Sequence, residues 1–523
     1  MNPAYNIYKY STETFKQVLF EAAKDDSVSE VFINSKSHTF YFQSYIKELN
    51  ASTIVVEYEY IDHDFLEDFS FYYVKCFKRY KRKCVRLHFF DISFSKEDFD
   101  GFLNGAKSNL KEETLQEAYL GFIVVKPLPK TIIGRTCIKT YPSDNGRRQF
   151  PPLREYEANL FGIKLSVNSL AYQEQDNVVA ACATSALWSV FNSTGRLFQH
   201  KILSPVEISE AACSSLPLES RFFPNPGLSS VQMAQAIRAI DLEPYLIKVA
   251  DQELLKAAAY AYLKCKIPML FGFLLLNTSD KKPIPIGLHA VAITGFSLGE
   301  SKPIPYGRTG FLSIASQIDK VYSHDDQVGP FSRMILNYDT IKDDDGNTIK
   351  TILSSWGGGD SKLNKVRAIP TILLIPVYNK IRITFQTIQE SITHFDRIIE
   401  TLRLNKVLPF KERLVWDIYL TTVNEVKSGM LSSKKWRNKL RLQVLMQDMP
   451  RFIWRATAFC GGKYVIDFLF DATDLEQSPL LFKAVGYDEE FFETLIDLSK
   501  QSNLPEALKD PMFLRILEWF SDK

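Results

Sequence analysis

Between Gln175 and Ser323 the hydrophobic pattern changes period in a set order, and that order constrains the fold more than any other feature of the chain. A polar stretch, Gln175-Asp176-Asn177, passes through Val178-Val179-Ala180-Ala181 into Cys182, where a helical pattern starts. Ala183, Leu187, Val190 and Phe191, with Ala186 beside them, fall on one helix face, and Gly195 is the expected stop. A second helix is predicted over 227–240, a short strand over 242–249 and a third helix over 251–264. Apolar strands are then predicted over 267–273, 288–296 and 318–323, the last ending at His324-Asp325-Asp326. Helices gathered ahead of successive strands predict an α+β fold.

At 523 residues the chain exceeds what one compact core accommodates. Three parts are expected. Residues 1–160 mix strands, at 53–60 and 121–126, with amphipathic helices, as an N-terminal α/β accessory domain. Residues 161–378 hold the pattern just described, after a turn-rich approach at 141–152. Residues 379–523 form a mostly helical α+β domain, with a helix over 381–404, one strand at 463–471 and amphipathic helices around Phe491 and Leu514. The run Lys78-Arg79-Tyr80-Lys81-Arg82-Lys83 has two readings. A basic stretch with an interleaved tyrosine suits a phosphate backbone; it also suits a solvated helix face or hairpin edge, the reading preferred here.

Charge and cysteine usage exclude several classes. A formal net charge of +2 gives no global field that argues for nucleic acid, membrane or acidic partners. The seven cysteines are scattered, odd in number and without a CxxC pair. That usage reads as reduced thiols in a cytoplasmic protein, not a disulfide framework or a zinc site. The first residues, Met1-Asn2-Pro3-Ala4-Tyr5-Asn6, have no basic or apolar signal region. The longest apolar run, 267–276, is about half of a membrane span. No membrane partner and no cofactor are expected.

Cys182 stands where a helix begins, and backbone N–H groups with the helix dipole favour an anion there. A thiol nucleophile needs a base, and the base needs an orienting partner. His289 opens an apolar strand, so its ring can project from a sheet while its backbone stays fixed; the competing reading is a core histidine bonded to a carbonyl. Asp325 or Asp326, ending the next strand, can accept from the imidazole and fix its tautomer. A metal site from His324, Asp325 and Asp326 is the alternative, weakened because neighbours on a strand point to opposite faces. The blandest reading is a charged turn before Gly329-Pro330.

Taken in order, Gln-x-Cys at a helix start, helix, strand, helix, an apolar-Pro-apolar strand, His289-Ala290-Val291 leading to Gly295-Phe296, then an Asp strand, resemble the papain-like cysteine peptidases. The branch most similar is that of the peptidases that process bacteriocin leaders. The resemblance covers residues 170–340, and it implies that 161–378 is a papain-like domain in which the Cys182 helix packs on an antiparallel sheet. It implies Cys182 as nucleophile, His289 as base and Asp325, ahead of Gln327-Val328-Gly329-Pro330, as orienter. It also implies a glutamine that donates to an oxyanion hole beside the Cys182 N–H, with Gln175 nearest in position and Gln173 in reserve. The sequence departs from that branch in Ala183 after the cysteine and in a Gln175–Cys182 interval one residue longer. It also carries an insertion at 299–309 between the histidine and acid strands. Ser354-Ser355-Trp356-Gly357-Gly358-Gly359 echoes the papain Asn-Ser-Trp-Gly, but serine is a poor orienter, so it reads as a glycine-rich turn. Asp343-Asp344-Asp345-Gly346-Asn347 lacks the acids a calcium loop needs and reads as a hairpin turn. The function expected is hydrolysis of a peptide or isopeptide bond in a protein or peptide substrate, with regulation through the flanking domains or a partner that they bind. Two alternatives stay open: another thiol acyl transfer on the same residues, or a papain-like module that only binds.

Overall fold

A computed structural model describes residues 4–23, 29–106, 109–176, 178, 181–214, 227–280, 282–307, 309–342, 346–356, 365–408, 410–432, 438–474, 480–500, 511 and 513–516. The fold is α+β on antiparallel sheets. The chain divides into two compact units. One takes in residues up to Gln252, Lys266–Ser297 and Asp319–Pro376; the other takes in Glu253–Cys265, Leu298–Ile318 and the chain from Val377 onward.

The first unit opens with a five-stranded meander, β1 (Tyr5–Lys9), β2 (Thr53–Tyr60), β3 (Cys84–Phe90), β4 (Tyr119–Val125) and β5 (Ile133–Ile138), paired in that order. Strand β2 spans the residues its β-branched and aromatic content predicts. Its neighbours β3 and β4 are buried almost throughout, so they lack the alternation that marks a half-exposed strand. The helices Thr12–Ala23 and Ser37–Glu48 lay Phe15, Leu19 and Phe42 on Ile54, Leu87 and Ile123. Tyr172, Tyr322 and Phe331 belong to the same apolar cluster. The segment read as an accessory domain therefore shares a core with the region around Cys182. The run 78–83 is an exposed loop entering β3, not a helix face, and Lys83 pairs with Glu59 at 2.8 Å.

Three elements link the two halves of this unit: β6 (Arg148–Gln149) and a hairpin of β7 (Arg154–Leu160) with β8 (Ile163–Ser169). The second sheet is built from β9 (Leu242–Lys248), β10 (Met269–Asn277), β11 (Ile284–Leu298), β12 (Ile318–Asp325) and β13 (Gly329–Ile335), with β16 (Val366–Tyr378). Its order is β13-β12-β11-β10-β16-β9, and β6 adds to β11. Leu353 pairs with Ile335 of β13, and Ile352 pairs with Ala368 of β16, so one segment bridges strands far apart in the sheet order. The short strands β14 (Thr340–Lys342) and β15 (Thr348–Lys350) pair as the hairpin expected around 343–347. Residues 343–345 of that turn, like Gly357, Gly358 and Gly359, lie outside the described residues.

The helix Cys182–Phe198 packs on this sheet with Ala183 to Gly195 buried. It does not stop at Gly195. A Cβ there would lie 2.6 Å from Ile202 Cγ1, so the glycine serves close packing, and Gln199 in the left-handed conformation ends the helix. Two further helices, Pro205–Ala212 and Ser230–Arg238, start with capping boxes at Ser204/Glu207 and Ser229/Gln232.

The second unit holds a four-stranded antiparallel sheet in chain order, β17 (Val415–Thr422), β18 (Phe452–Cys460), β19 (Lys463–Asp471) and β20 (Leu481–Gly486). The helix Phe385–Leu404 covers it, with Phe395 against Trp416 and Phe468. Asp396 accepts from Trp416 Nε1 at 2.8 Å and pairs with Arg413. The insertion at 299–309 belongs to this unit, and Leu312 O accepts from Trp416 N at 2.9 Å. Among the described residues no helix is long and apolar enough to cross a membrane.

Candidate active site

Cys182 is the first residue of its helix and is half-buried. The N-cap is Ala181, whose side chain makes no cap hydrogen bond. Alanine is among the weakest N-caps, because it offers the first-turn N–H groups no acceptor. At a structural helix start one expects serine or aspartate, as at Ser204 or Asp62 in this chain. An uncapped start with a thiol at its first position suits a site where an anion forms.

His289 lies on β11 opposite Phe273 of β10, with the Phe273 ring edge-on at 5.4 Å. The ring is buried, and its Nε2 is 2.9 Å from Asp325 Oδ1. Cys182 hydrogen-bonds the same ring. Burial by itself pushes His289 down. The charge and hydrogen bond of Asp325, the Cys182 bond and the charge of Asp326 outweigh it and hold the imidazole well above its ordinary value.

Asp325 is fully buried at the end of β12 and is satisfied on both oxygens. Oδ1 accepts from His289 and from Gln327 N at 3.0 Å; Oδ2 accepts from Trp356 Nε1 at 2.8 Å. Burial raises its carboxyl, but His289 and these donors lower it below the usual range. Asp326 approaches the same ring less closely, with Oδ1 3.7 Å from Nε2. Burial above all, then the neighbouring Asp325, pushes its carboxyl up to about 7 against the pull of His289. Both acids reach one ring because the alternation of the strand breaks here: the ladder slips between Ser323 and Asp325, and Val328 N bonds back to Asp325 O in a tight turn.

The segment that leads to Cys182 is tied to this turn. His38 Nε2 bonds Asp326 O at 2.7 Å and meets Tyr172 OH at 3.1 Å, and His324 Nδ1 bonds Ala171 O at 3.2 Å. Gln173 and Gln175 follow directly. Gln173 is buried and its amide nitrogen has no hydrogen-bond partner among the described residues; Gln175 is half-buried. An unpaired buried donor is free to meet a water, a ligand or a reacting group.

His324 is not in the cluster. It sits between the rings of Tyr172 and Phe331, and burial drives it down to about 3. The three groups that do converge are His289, Asp325 and Asp326, each with a donor atom within 4.8 Å of the others. A cation there would have to displace the His289–Asp325 hydrogen bond. Trp356 is the residue that the sequence reading passes over. It donates to Asp325 and its ring lies 5.4 Å from that of Phe273, which makes it a wall of the site. The turn assigned to its segment gave no sign of that, and only the Ser-Trp-Gly echo pointed toward it.

Chemically, the arrangement gathers a thiol, an imidazole whose protonated form is favoured and a fixed carboxylate. Comparison of the chain with known protein families, characterised proteins and solved structures finds no match.

Proposed function

We propose that the protein is a papain-like cysteine peptidase that cleaves a peptide or isopeptide bond through a thioester. The observation that carries this reading is the line Cys182–His289–Asp325, in which a buried imidazole bonds the thiol on one side and a buried carboxylate on the other. The Cys182 thiolate attacks the carbonyl carbon and the carbonyl oxygen becomes an oxyanion. The oxyanion takes hydrogen bonds from the Cys182 N–H and from a glutamine amide. Gln173 is preferred over Gln175 for this, because its amide nitrogen is buried and unpartnered. As the tetrahedral species collapses, the C–N bond breaks and the His289 imidazolium gives its proton to the leaving amine. Water then adds to the thioester, with His289 taking its proton, and Cys182 leaves as the thiolate. Asp325 keeps Nε2 as a proton donor and steadies the imidazolium throughout.

Free cysteines at all seven positions support a cytoplasmic setting for such a thiol. The test is turnover of a fluorogenic casein by the full chain and by Cys182→Ala, with product masses read with and without added amine. Hydrolysis lost in the variant supports the reading. Amide products in the presence of amine move it to acyl transfer, and turnover that survives Cys182→Ala ends it.

A further inference from the structure

The run from Lys75 to Lys83 takes no part in the Cys182 site. It holds six cations and no acid. The whole chain has a formal net charge of only +2, so without this run it is negative. The excess of positive charge therefore sits in one loop, between the helical turn Tyr73–Lys75 and β3.

All six cations of the loop are exposed. Lys83 pairs with Glu59, and Lys75 and Lys78 lie over the rings of Phe71 and Tyr80 at 5.0 and 5.4 Å. Arg79, Lys81 and Arg82 meet no carboxylate among the described residues. Two apolar side chains stand among these cations. Val74 is 58% exposed and Phe77 106%, a fully protruding ring. The base of the loop is fixed. Tyr73 is buried, donates to Asp176 on the segment that leads to Cys182, and meets the Tyr80 ring edge to face at 5.1 Å.

These features discriminate among anionic partners. A single-stranded nucleic acid stacks its bases on rings that line a groove. Here the tyrosine of the run packs on Tyr73 instead, and the open ring is a wedge with no groove behind it. An acidic peptide needs the cations alone. An anionic lipid surface uses both: the wedge enters the boundary between headgroups and acyl chains, and the cations stay with the headgroups. The loop backbone lies outside any strand, so insertion stays shallow, because unpaired N–H and C=O groups are costly in hydrocarbon. Such a contact needs neither a spanning helix nor a large net charge.

We propose that residues 74–82 dock the protein on an anionic lipid surface, with Phe77 and Val74 entering the headgroup boundary and Lys75, Lys78, Arg79, Lys81 and Arg82 meeting the headgroups. The proposal is independent of the peptidase reading, and either can fail without the other.

The experiment is sedimentation of the full chain with vesicles of phosphatidylcholine alone and with about one-third phosphatidylserine. Binding to the anionic vesicles at least about tenfold tighter is expected, falling at least about tenfold as salt rises from about 0.1 to about 0.5 M. Lys81→Glu combined with Arg82→Glu should weaken it at least about tenfold, and Phe77→Ser about three- to tenfold. These positions are exposed, and circular dichroism checks that each variant keeps its fold. Equal binding to both vesicles, or binding that either variant leaves unchanged, would overturn the proposal. So would an oligouridine or an oligoglutamate that binds at least about tenfold more tightly than the anionic vesicles, since the loop would then belong to a nucleic acid or to an acidic protein.

Discussion

Two buried histidines on strands of the same unit, His88 and His289, are built from the same ingredients and are shifted in opposite directions. His88 on β3 meets Tyr119 OH at 2.8 Å and Glu57 at 3.3 Å. Burial drives it down to about 4, although Glu57 pulls the other way. His289 is as deeply buried and is held up. The difference lies in what else touches the carboxylate. Glu57 is shared with Arg86 at 2.7 Å, and the guanidinium both uses the negative charge and repels a second cation. Asp325 is held by neutral donors, Gln327 N and Trp356 Nε1, so its charge is left for His289 alone. Burial with an acid nearby is therefore not enough to make a cationic imidazole; the acid must have no competing cation.

The comparison can be broken at each of its parts. Cys182→Ala removes the partner His88 lacks, and turnover of casein should fall by at least about 10⁴-fold with the fold intact in circular dichroism. Asp325→Asn keeps the shape and removes the charge. The expected loss in kcat is about 10³- to 10⁴-fold, with the pH dependence of the remaining activity displaced, as wrong-tautomer variants of other triads behave. Trp356→Phe takes one donor from Asp325 Oδ2. It should lower kcat about tenfold and cost about 1–3 kcal/mol of stability in chemical denaturation. Arg86→Met is the smallest in activity and the sharpest in logic: turnover should be unchanged while His88 rises clearly above 4 by NMR titration. A His88 that stays near its value would show that burial, not Arg86, makes the contrast.

Stability against pH follows the same division with opposite signs. His289 is raised in the folded state, so its contribution is complete below the unfolded value of about 6.5 and is lost as pH climbs through the folded value. Asp325 is lowered, so its contribution is present above about 3.9 and is lost as pH falls through its folded value. His88 is lowered to about 4, so its neutral form favours the fold above about 6.5 and that contribution is lost as pH falls toward 4. His88→Phe should flatten the fall in Tm between pH 6.5 and 4, and His289→Gln should not.

Much of the fold around the site was legible because the strands near it begin or end on a change of hydrophobic pattern. Strands β2 and β19 occupy the stretches predicted for them, 53–60 and 463–471. The partner strands β3, β17, β18 and β20 were not read. Strands β3 and β18 are buried almost throughout and β20 is short and irregular, so these three give no clean period of two; β17 does alternate, with Trp416, Ile418 and Leu420 buried, and its pattern was missed. The helix Pro205–Ala212 carried its signal openly, Ser204-Pro205-Val206-Glu207, and was passed over. Cys182, His289 and the pair Asp325 and Asp326 could be nominated from helix and strand ends, the resemblance alone singling out Asp325, and in the structure both Cys182 and Asp325 act on the His289 ring. The approach of Asp326 to the same ring was not legible, since strand alternation forbids it and only the slip after Ser323 allows it. Nor was the bond of Trp356, which spans 31 positions, although the Ser-Trp-Gly echo marks its segment. The orphaned amide of Gln173 is likewise a property of burial, whereas spacing alone favoured Gln175.

The central claim is that the Cys182 thiol is made reactive by His289. It is tested most directly by the rate at which iodoacetamide labels each cysteine of the full chain at pH 7, read by mass spectrometry. Cys213, also half-buried, is the internal reference. The account predicts that Cys182 is labelled at least about tenfold faster than Cys213, and that the excess vanishes in His289→Ala. Equal rates at Cys182 and Cys213 in the unaltered chain, or an excess that survives the loss of His289, would contradict it.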